Sequence, residues 1–351
     1  MTSPAQPASR PRSPSIGRMA RRVRFGLCLL AAWGLVVLVL GELTCRAFGI
    51  GGVILYRRGL YEASPDPELG YGLTPGHRGT SYGTPVQINE FGFRSPPFAK
   101  ERSPGTYRVI CVGDSFTFGM GVRQEESWPA QLEARLSPPP GYHRIEVVNA
   151  GVPGYNLRQY GRQIELALLE YEPNLILMGL VENDLEPSFY VEDGYLCVPR
   201  KKTTISFPGK RWLQTHSHLY QAVNMRYQGW MAAWLQHRNP DEARSILFGD
   251  RDPAAWEEAV DRLSRSRREA LRHGVDIYAA MFGLTAQSPL PQIVERAQVS
   301  AMHMDLDGPD LRLQDGHPNA RGHAHFAEQI ALFVQPALAT TPHGADAPGP
   351  E

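Results

Sequence analysis

Five residues of this sequence have the types and the placing for acyl chemistry: Ser115, Gly151, Asn183, Asp315 and His317. Ser115 stands in Gly113-Asp114-Ser115, directly after the apolar run Val109-Ile110-Cys111-Val112. His317 lies near the other end of the chain, in Leu313-Gln314-Asp315-Gly316-His317-Pro318-Asn319. A serine hydroxyl attacks poorly until a base takes its proton. An imidazole can be that base, and a carboxylate can fix its tautomer and stabilise the imidazolium; Asp315 is the candidate here. The oxyanion that forms at an attacked carbonyl needs donors aimed at it. The backbone N–H groups of Ser115 and Gly151 and the side-chain amide of Asn183 can supply them, and Gly151 permits close approach because it lacks a Cβ.

These residues cooperate only if the chain gathers them, and the hydrophobic pattern says how. The β-branched run before Gly113 fits a strand buried on both faces, as in a parallel sheet. A helical pattern over Ser127 to Leu136 follows. A second strand, Ile145 to Asn149, ends in Asn149-Ala150-Gly151-Val152-Pro153-Gly154, and a helix follows over Leu157 to Leu169. The third strand, Leu175 to Leu180, ends in Val181-Glu182-Asn183-Asp184. Helices over Pro253 to His273, Leu290 to Ala301 and Asn319 to Leu338 alternate with strands at Ile277 to Phe282 and Met302 to Leu306. Strands separated by helices mean a parallel, doubly wound sheet. In such a sheet the strand ends point one way, so Ser115, Gly151 and Asn183 converge on one crevice.

The composition agrees with a globular domain: 351 residues, 42% hydrophobic and 21% charged. The formal net charge is zero, so no global field argues for a nucleic-acid partner. Cys28, Cys45, Cys111 and Cys197 make neither a disulfide framework nor a metal-ligand spacing. His323 and His325 form an H-x-H, but positions i and i+2 of a helix do not share a face. No metal or organic cofactor is expected.

Residues 1–24 are rich in Pro, Ser and Arg and read as a disordered cytoplasmic N-terminus. The apolar run Phe25 to Gly41, with its flanks, approaches the ~20 residues that cross a bilayer, which makes 25–48 a transmembrane anchor. Arg10, Arg12, Arg18, Arg21, Arg22 and Arg24 precede it, and that asymmetry keeps the amino end inside and sends the rest of the chain out. A cleaved signal peptide is the alternative, yet Glu42-Leu43-Thr44-Cys45-Arg46 offers no small-x-small site. Residues 49–105 read as a loop-rich spacer that packs on the domain, 106–339 as the main domain, and 340–351 as a disordered tail. The stretch 186–251 is too long for an ordinary connection. It is expected to pack on the domain as a helix carrying Tyr220, Tyr227, Trp230 and Trp234, or else to cap the crevice.

Gly113-Asp114-Ser115, Gly151, Asn183-Asp184 and Asp315-Gly316-His317-Pro318-Asn319 resemble, in order, the blocks of the SGNH (GDSL-type) hydrolase superfamily. The apolar N-terminal helix and Asn89-Glu90-Phe91-Gly92-Phe93-Arg94 are similar to a bacterial membrane-anchored subgroup. The resemblance implies a flavodoxin-like α/β/α sandwich with no metal or organic cofactor. It further implies Ser115 as nucleophile, Ser115, Gly151 and Asn183 as the oxyanion hole, and His317 as base. The family's acid usually stands three residues before the histidine, a position held here by Gln314. Asp315 is the candidate, with Asp310 or an acid-less dyad as alternatives. The expectation is a serine esterase acting on a small ester or a glycan, with a cell-envelope or exported carbohydrate as substrate. O-acyl transfer to a sugar hydroxyl by the same residues and a catalytically silent glycan-binding module are the alternatives.

Overall fold

The computed structural model describes residues 16–48, 50, 59–185, 189–192, 195–197, 207–238, 253–286, 288–306, 308–313 and 316–339. The chain divides into two compact units, one of residues 1–52 with 208–229 and one of 53–207 with 230–351.

The larger unit is organised on a sheet. Its N-terminal part carries two short antiparallel hairpins. They are β1 (Tyr61–Ala63) with β2 (Tyr71–Leu73), and β3 (Arg78–Ser81) with β4 (Thr84–Gln87). The core strands β5 (Thr106–Gly113), β6 (Arg144–Asn149) and β7 (Leu175–Leu180) come next. After a third hairpin, β8 (Tyr190–Glu192) with β9 (Tyr195–Cys197), come β10 (Asp276–Phe282) and β11 (Ser300–Met304). The five core strands are parallel in the order β11-β10-β7-β5-β6. Numbered by their own succession, that order is 2-1-3-4-5, the flavodoxin-like arrangement whose switch point lies between its first and third strands, here β5 and β7.

Every residue of β5 and of β7 is buried, which explains their unbroken apolar runs. Successive side chains leave a strand on opposite faces, so β5 feeds two cores. Ile110 and Val112 join one that includes Tyr160, Ile164, Leu263 and Ile293, from the helices Leu157–Glu170, Pro253–Arg272 and Leu290–Arg296. Val109 and Cys111 join the other, with Trp128 and Leu132 of the helix Trp128–Glu133 and Phe326, Ile330 and Val334 of Ala320–Ala339. Each such aliphatic side chain removed from water contributes about 1.5–3 kcal/mol.

One expectation needs correction. The helix expected to run from Leu290 to Ala301 stops at Arg296. Gln298 takes a left-handed φ of 58°, which turns the chain into β11 from Ser300. Within the loop-rich stretch 59–105 stand the two short hairpins β1–β2 and β3–β4. Strands of three or four residues broken by glycine, as in Tyr71-Gly72-Leu73, leave too little alternation to read. Phe93 packs into the core, 9% exposed.

The smaller unit holds the helix Ile16–Ala47, which includes Met19–Ala47, a span long and apolar enough to cross a membrane. Within this unit Glu42 accepts hydrogen bonds from the Ser217 hydroxyl and the Leu219 N–H at 2.8 and 3.0 Å, and Arg46 donates to the His216 carbonyl at 2.6 Å. Of the aromatic residues expected on one helix, Trp230 and Trp234, which belong to the larger unit, stack at 6.4 Å and are 59% and 41% exposed.

Candidate active site

Ser115 opens a single helical turn, Ser115–Phe118, immediately after β5. Two glycines make room for that turn. Gly113 ends β5 and pairs with Gly179 in β7, and a Cβ on either would collide with the Thr117 hydroxyl. The turn therefore settles on the strand ends at the switch point, with Thr117 and Phe118 buried and Ser115 half-buried at the rim. Asp114 caps it. One carboxylate oxygen accepts the Phe116 N–H at 2.8 Å, and the other accepts the Ser115 hydroxyl at 3.1 Å. Burial raises the Asp114 carboxyl above its ordinary pKa, against the opposing pull of the Phe116 N–H and of His317.

His317 arrives on a loop tied to the start of the terminal helix. Leu313 N–H donates to the His317 carbonyl at 2.7 Å, and Gly316, at φ 93°, turns the loop back. Asn319 locks both sides: its Oδ1 accepts from Arg321 and Gly322 N–H, and its Nδ2 donates to the carbonyls of Asp310 and Arg312. The result is His317 Nε2 at 2.9 Å from Ser115 Oγ, across 202 positions of sequence. The imidazole also meets the rings of Phe116 at 5.5 Å and Tyr82 at 5.7 Å.

The other expected residues follow the neighbouring strands. Gly151 lies just past β6, buried, where a Cβ would sit 2.8 Å from the Thr117 carbonyl carbon. Its N–H donates to Asn149 Oδ1 at 3.0 Å, and Asn149 Nδ2 donates in turn to the Thr117 carbonyl at 2.9 Å. Asn183 is half-buried on the 3-10 turn Glu182–Leu185 that follows β7. Asp184 holds this turn by accepting the Val181 N–H at 2.8 Å and the Tyr160 hydroxyl at 2.7 Å. Ser115, Gly151 and Asn183 thus stand at the carboxyl ends of three adjacent strands, as the sequence pattern required.

Asp315, with Gln314, lies outside the described residues. The alternative acid, Asp310, is 57% exposed and ion-paired with Arg321 at 3.1 Å. His323 is fully buried, its Nδ1 accepting the Trp128 N–H at 3.2 Å. Burial first, then Arg94 and His317, push its pKa down to about 3. It is a neutral packing group that joins two helices.

Sequence reasoning passed over Asn149, Tyr82 and Arg94. Asn149 reads as a strand terminus. The only signal for Arg94 is a cation at the end of an otherwise aromatic stretch, Phe91-Gly92-Phe93-Arg94.

Residues 111–325, from β5 through the start of the terminal helix, match the GDSL-like lipase/acylhydrolase family. The chain belongs to that family. It is a serine ester hydrolase of the SGNH/GDSL type, and the sheet order is the one the family resemblance implies. No curated protein matches this hydrolase in sequence. Among solved structures it is similar to the psychrotrophic esterase EstA from Pseudoalteromonas sp., at 16% identity over 66% of this chain and 98% of that one, with a TM-score of 0.38. It is also similar to an acetylxylan esterase, Axe2, from Geobacillus stearothermophilus, at 15% identity over 67% and 97%, TM-score 0.38. A two-domain esterase active on acetylated mannans matches at 14% identity over 72% of this chain and 53% of that one, again with a TM-score of 0.38.

Proposed function

We propose that this hydrolase cleaves acyl esters through a covalent intermediate on Ser115, with His317 as the base. The observation that carries the reading is the 2.9 Å contact between His317 Nε2 and Ser115 Oγ, which is within reach for proton transfer. The Ser115 proton passes to Nε2 as Oγ bonds to the carbonyl carbon, and the carbonyl electron pair moves onto oxygen. The amides of Ser115 and Gly151 and the side chain of Asn183 receive that charge. For Gly151 to contribute, its N–H must turn from Asn149 Oδ1 toward the oxyanion. Collapse expels the alcohol, which takes the proton back from Nε2. A water molecule, activated by the same imidazole, then releases the acid and restores the serine.

Asp315 orients the imidazole in this reading. Asp310 does not fit the task, because its charge is engaged by Arg321 in solvent. Asp114 orders the turn and is not the acid of the triad, since it bonds to the Phe116 N–H and to the nucleophile itself.

The helix Ile16–Ala47 supports a membrane anchor with its arginine-rich end inside and the catalytic domain outside. On that placement the substrate is an ester on a cell-envelope or exported carbohydrate. A fluorophosphonate probe tests the chemistry: wild type is labelled, and Ser115→Ala is not. Labelling that survives Ser115→Ala overturns the nucleophile. An ester panel run with and without sugar acceptors, read for free acid against acylated sugar, separates hydrolysis from transfer.

A further inference from the structure

We propose that residues 61–95, which precede the family's matched region, form a brace that completes the active site, with Tyr82 as a positioning residue for His317. The proposal rests on the reading of Ser115 and His317 as nucleophile and base.

Three observations converge on it. First, Arg94 is 1% exposed, and its guanidinium is spent on backbone. It donates to the carbonyls of Phe118 at 2.9 Å, Gly119, and Val122 at 2.6 Å, and stands 4.7 Å over the Phe118 ring. These carbonyls lie at and just beyond the end of the Ser115 turn. Burying a guanidinium is costly, and although Nε is buried without a partner, Nη1 and Nη2 are both held by these carbonyls, so a cation in this place fixes the path of the chain that leaves Ser115. Second, the same segment holds the strand end that carries Gly151. Ser95 Oγ accepts the Asn149 N–H at 2.7 Å, and the Tyr71 hydroxyl donates to the Pro153 carbonyl at 3.0 Å.

Third, the β3–β4 tip carries Tyr82 against the base. Tyr82 adopts a left-handed φ of 52°, a conformation that costs a residue with a Cβ about 1 kcal/mol or more. Gly83 beside it is also left-handed, at φ 77°, as a two-residue hairpin turn requires. Asn or Gly would satisfy such a turn more cheaply than a tyrosine. What the tyrosine adds is its ring, set edge-to-face on the His317 imidazole at 67° and 5.7 Å. The Tyr82 Cβ also lies 3.8 Å from where a Cβ on Gly121 would stand, so the tip rests beside the chain that Arg94 pins. Arg94 thereby sets the floor on which Tyr82 stands, and Tyr82 limits how far the His317 ring can swing from Ser115.

The test compares Tyr82→Ala, Tyr82→Phe and wild type in the full chain by three readouts: kcat and KM on a simple ester, the rate of fluorophosphonate labelling, and the thermal midpoint. Loss of the ring should lower kcat and the labelling rate together, by about ten- to a hundredfold, the scale on which misplacing a catalytic group acts. KM and the midpoint should stay near wild type, and Tyr82→Phe should restore both rates. Labelling by Tyr82→Ala at the wild-type rate, a defect confined to KM, a loss that follows a lowered midpoint, or failure of Tyr82→Phe to restore the rates would each overturn the proposal. His317→Ala run alongside keeps the two readings apart. If it labels normally, the base assignment fails; if it is silent while Tyr82→Ala labels at the wild-type rate, only the brace fails.

Discussion

The two halves of the proposed catalytic pair, Ser115 as nucleophile and His317 as base, are held in different ways. Ser115 is fixed by the sheet: β5 ends beneath it, Gly113 and Gly179 admit the Thr117 side chain, and Asp114 caps the turn. His317 is fixed by a loop that owes its shape to Asn319, Gly316 and the terminal helix, and that helix is fastened near the nucleophile through His323 and the Trp128 N–H. One residue stands on packed backbone, the other on a lattice of side-chain hydrogen bonds. The nucleophile's support should therefore fail as a loss of stability, and the base's support as a loss of activity.

The largest effect should come from the pair itself. Ser115→Ala and His317→Ala should each lower kcat/KM by roughly a thousandfold or more with little change in thermal midpoint; a smaller loss for His317→Ala would mean that another base serves. Next, Gly179→Ala should destabilise the fold by about 1–3 kcal/mol, the usual cost of overpacking. Its new Cβ meets the Thr117 hydroxyl and stands 2.9 Å from Phe282. Chemical denaturation measures this, and an unchanged midpoint would show that the turn can rise off the strand ends.

His323 tests the base side through pH. Its folded pKa is pushed from 6.5 down to about 3. Between those values the unfolded chain binds a proton that the folded chain refuses, so stability falls as pH falls, by up to ~1.4 kcal/mol per pH unit. His323→Asn keeps an acceptor for the Trp128 N–H and should flatten the slope of stability between pH 6 and 4. An unaltered slope would assign the acid sensitivity elsewhere.

Smaller still, Asn319→Ala removes a helix cap, at about 1 kcal/mol. Because the same side chain ties the loop to the carbonyls of Asp310 and Arg312, kcat should drop by more than that loss of stability accounts for. Equal proportions would erase the contrast drawn above. The mildest change is Asp114→Asn, which retains an acceptor for the Phe116 N–H and deletes a charge whose pKa burial has raised. The buried carboxylate costs stability once pH exceeds its normal range, so the variant should gain at neutral pH and lose that gain below pH ~4. On the reading proposed above, in which Asp114 orders the turn, activity should fall less than about tenfold; differential scanning calorimetry at the two pH values, with kinetics alongside, checks both.

Much of this was legible in the chain. Apolar runs, Val109 to Val112 in β5 and Leu175 to Leu180 in β7, reported these strands because strands covered on both faces favour apolar residues; Arg108, buried and paired with Glu146, is an exception. Small or polar residues after the strand ends pointed to Ser115, Gly151 and Asn183, because parallel strands deliver their carboxyl ends to one edge. The brace was not legible. Its strands are short, its hydrogen bonds are to backbone groups, and backbone groups leave no mark on sequence. Nor could Asn149 be recognised, since its role depends on the Thr117 carbonyl and the Gly151 N–H meeting it across separate loops.

Sequence alone determined the residue types, their order, and the alternation of strand and helix that makes a parallel sheet. Tertiary structure decided that an imidazole 202 positions away stands 2.9 Å from the Ser115 hydroxyl, and that an arginine and a tyrosine outside the family's matched region frame the pair. The physical reason is range: hydrophobic periodicity is a local property that composition records. A hydrogen bond between distant groups exists only once packing has fixed the two elements that carry them.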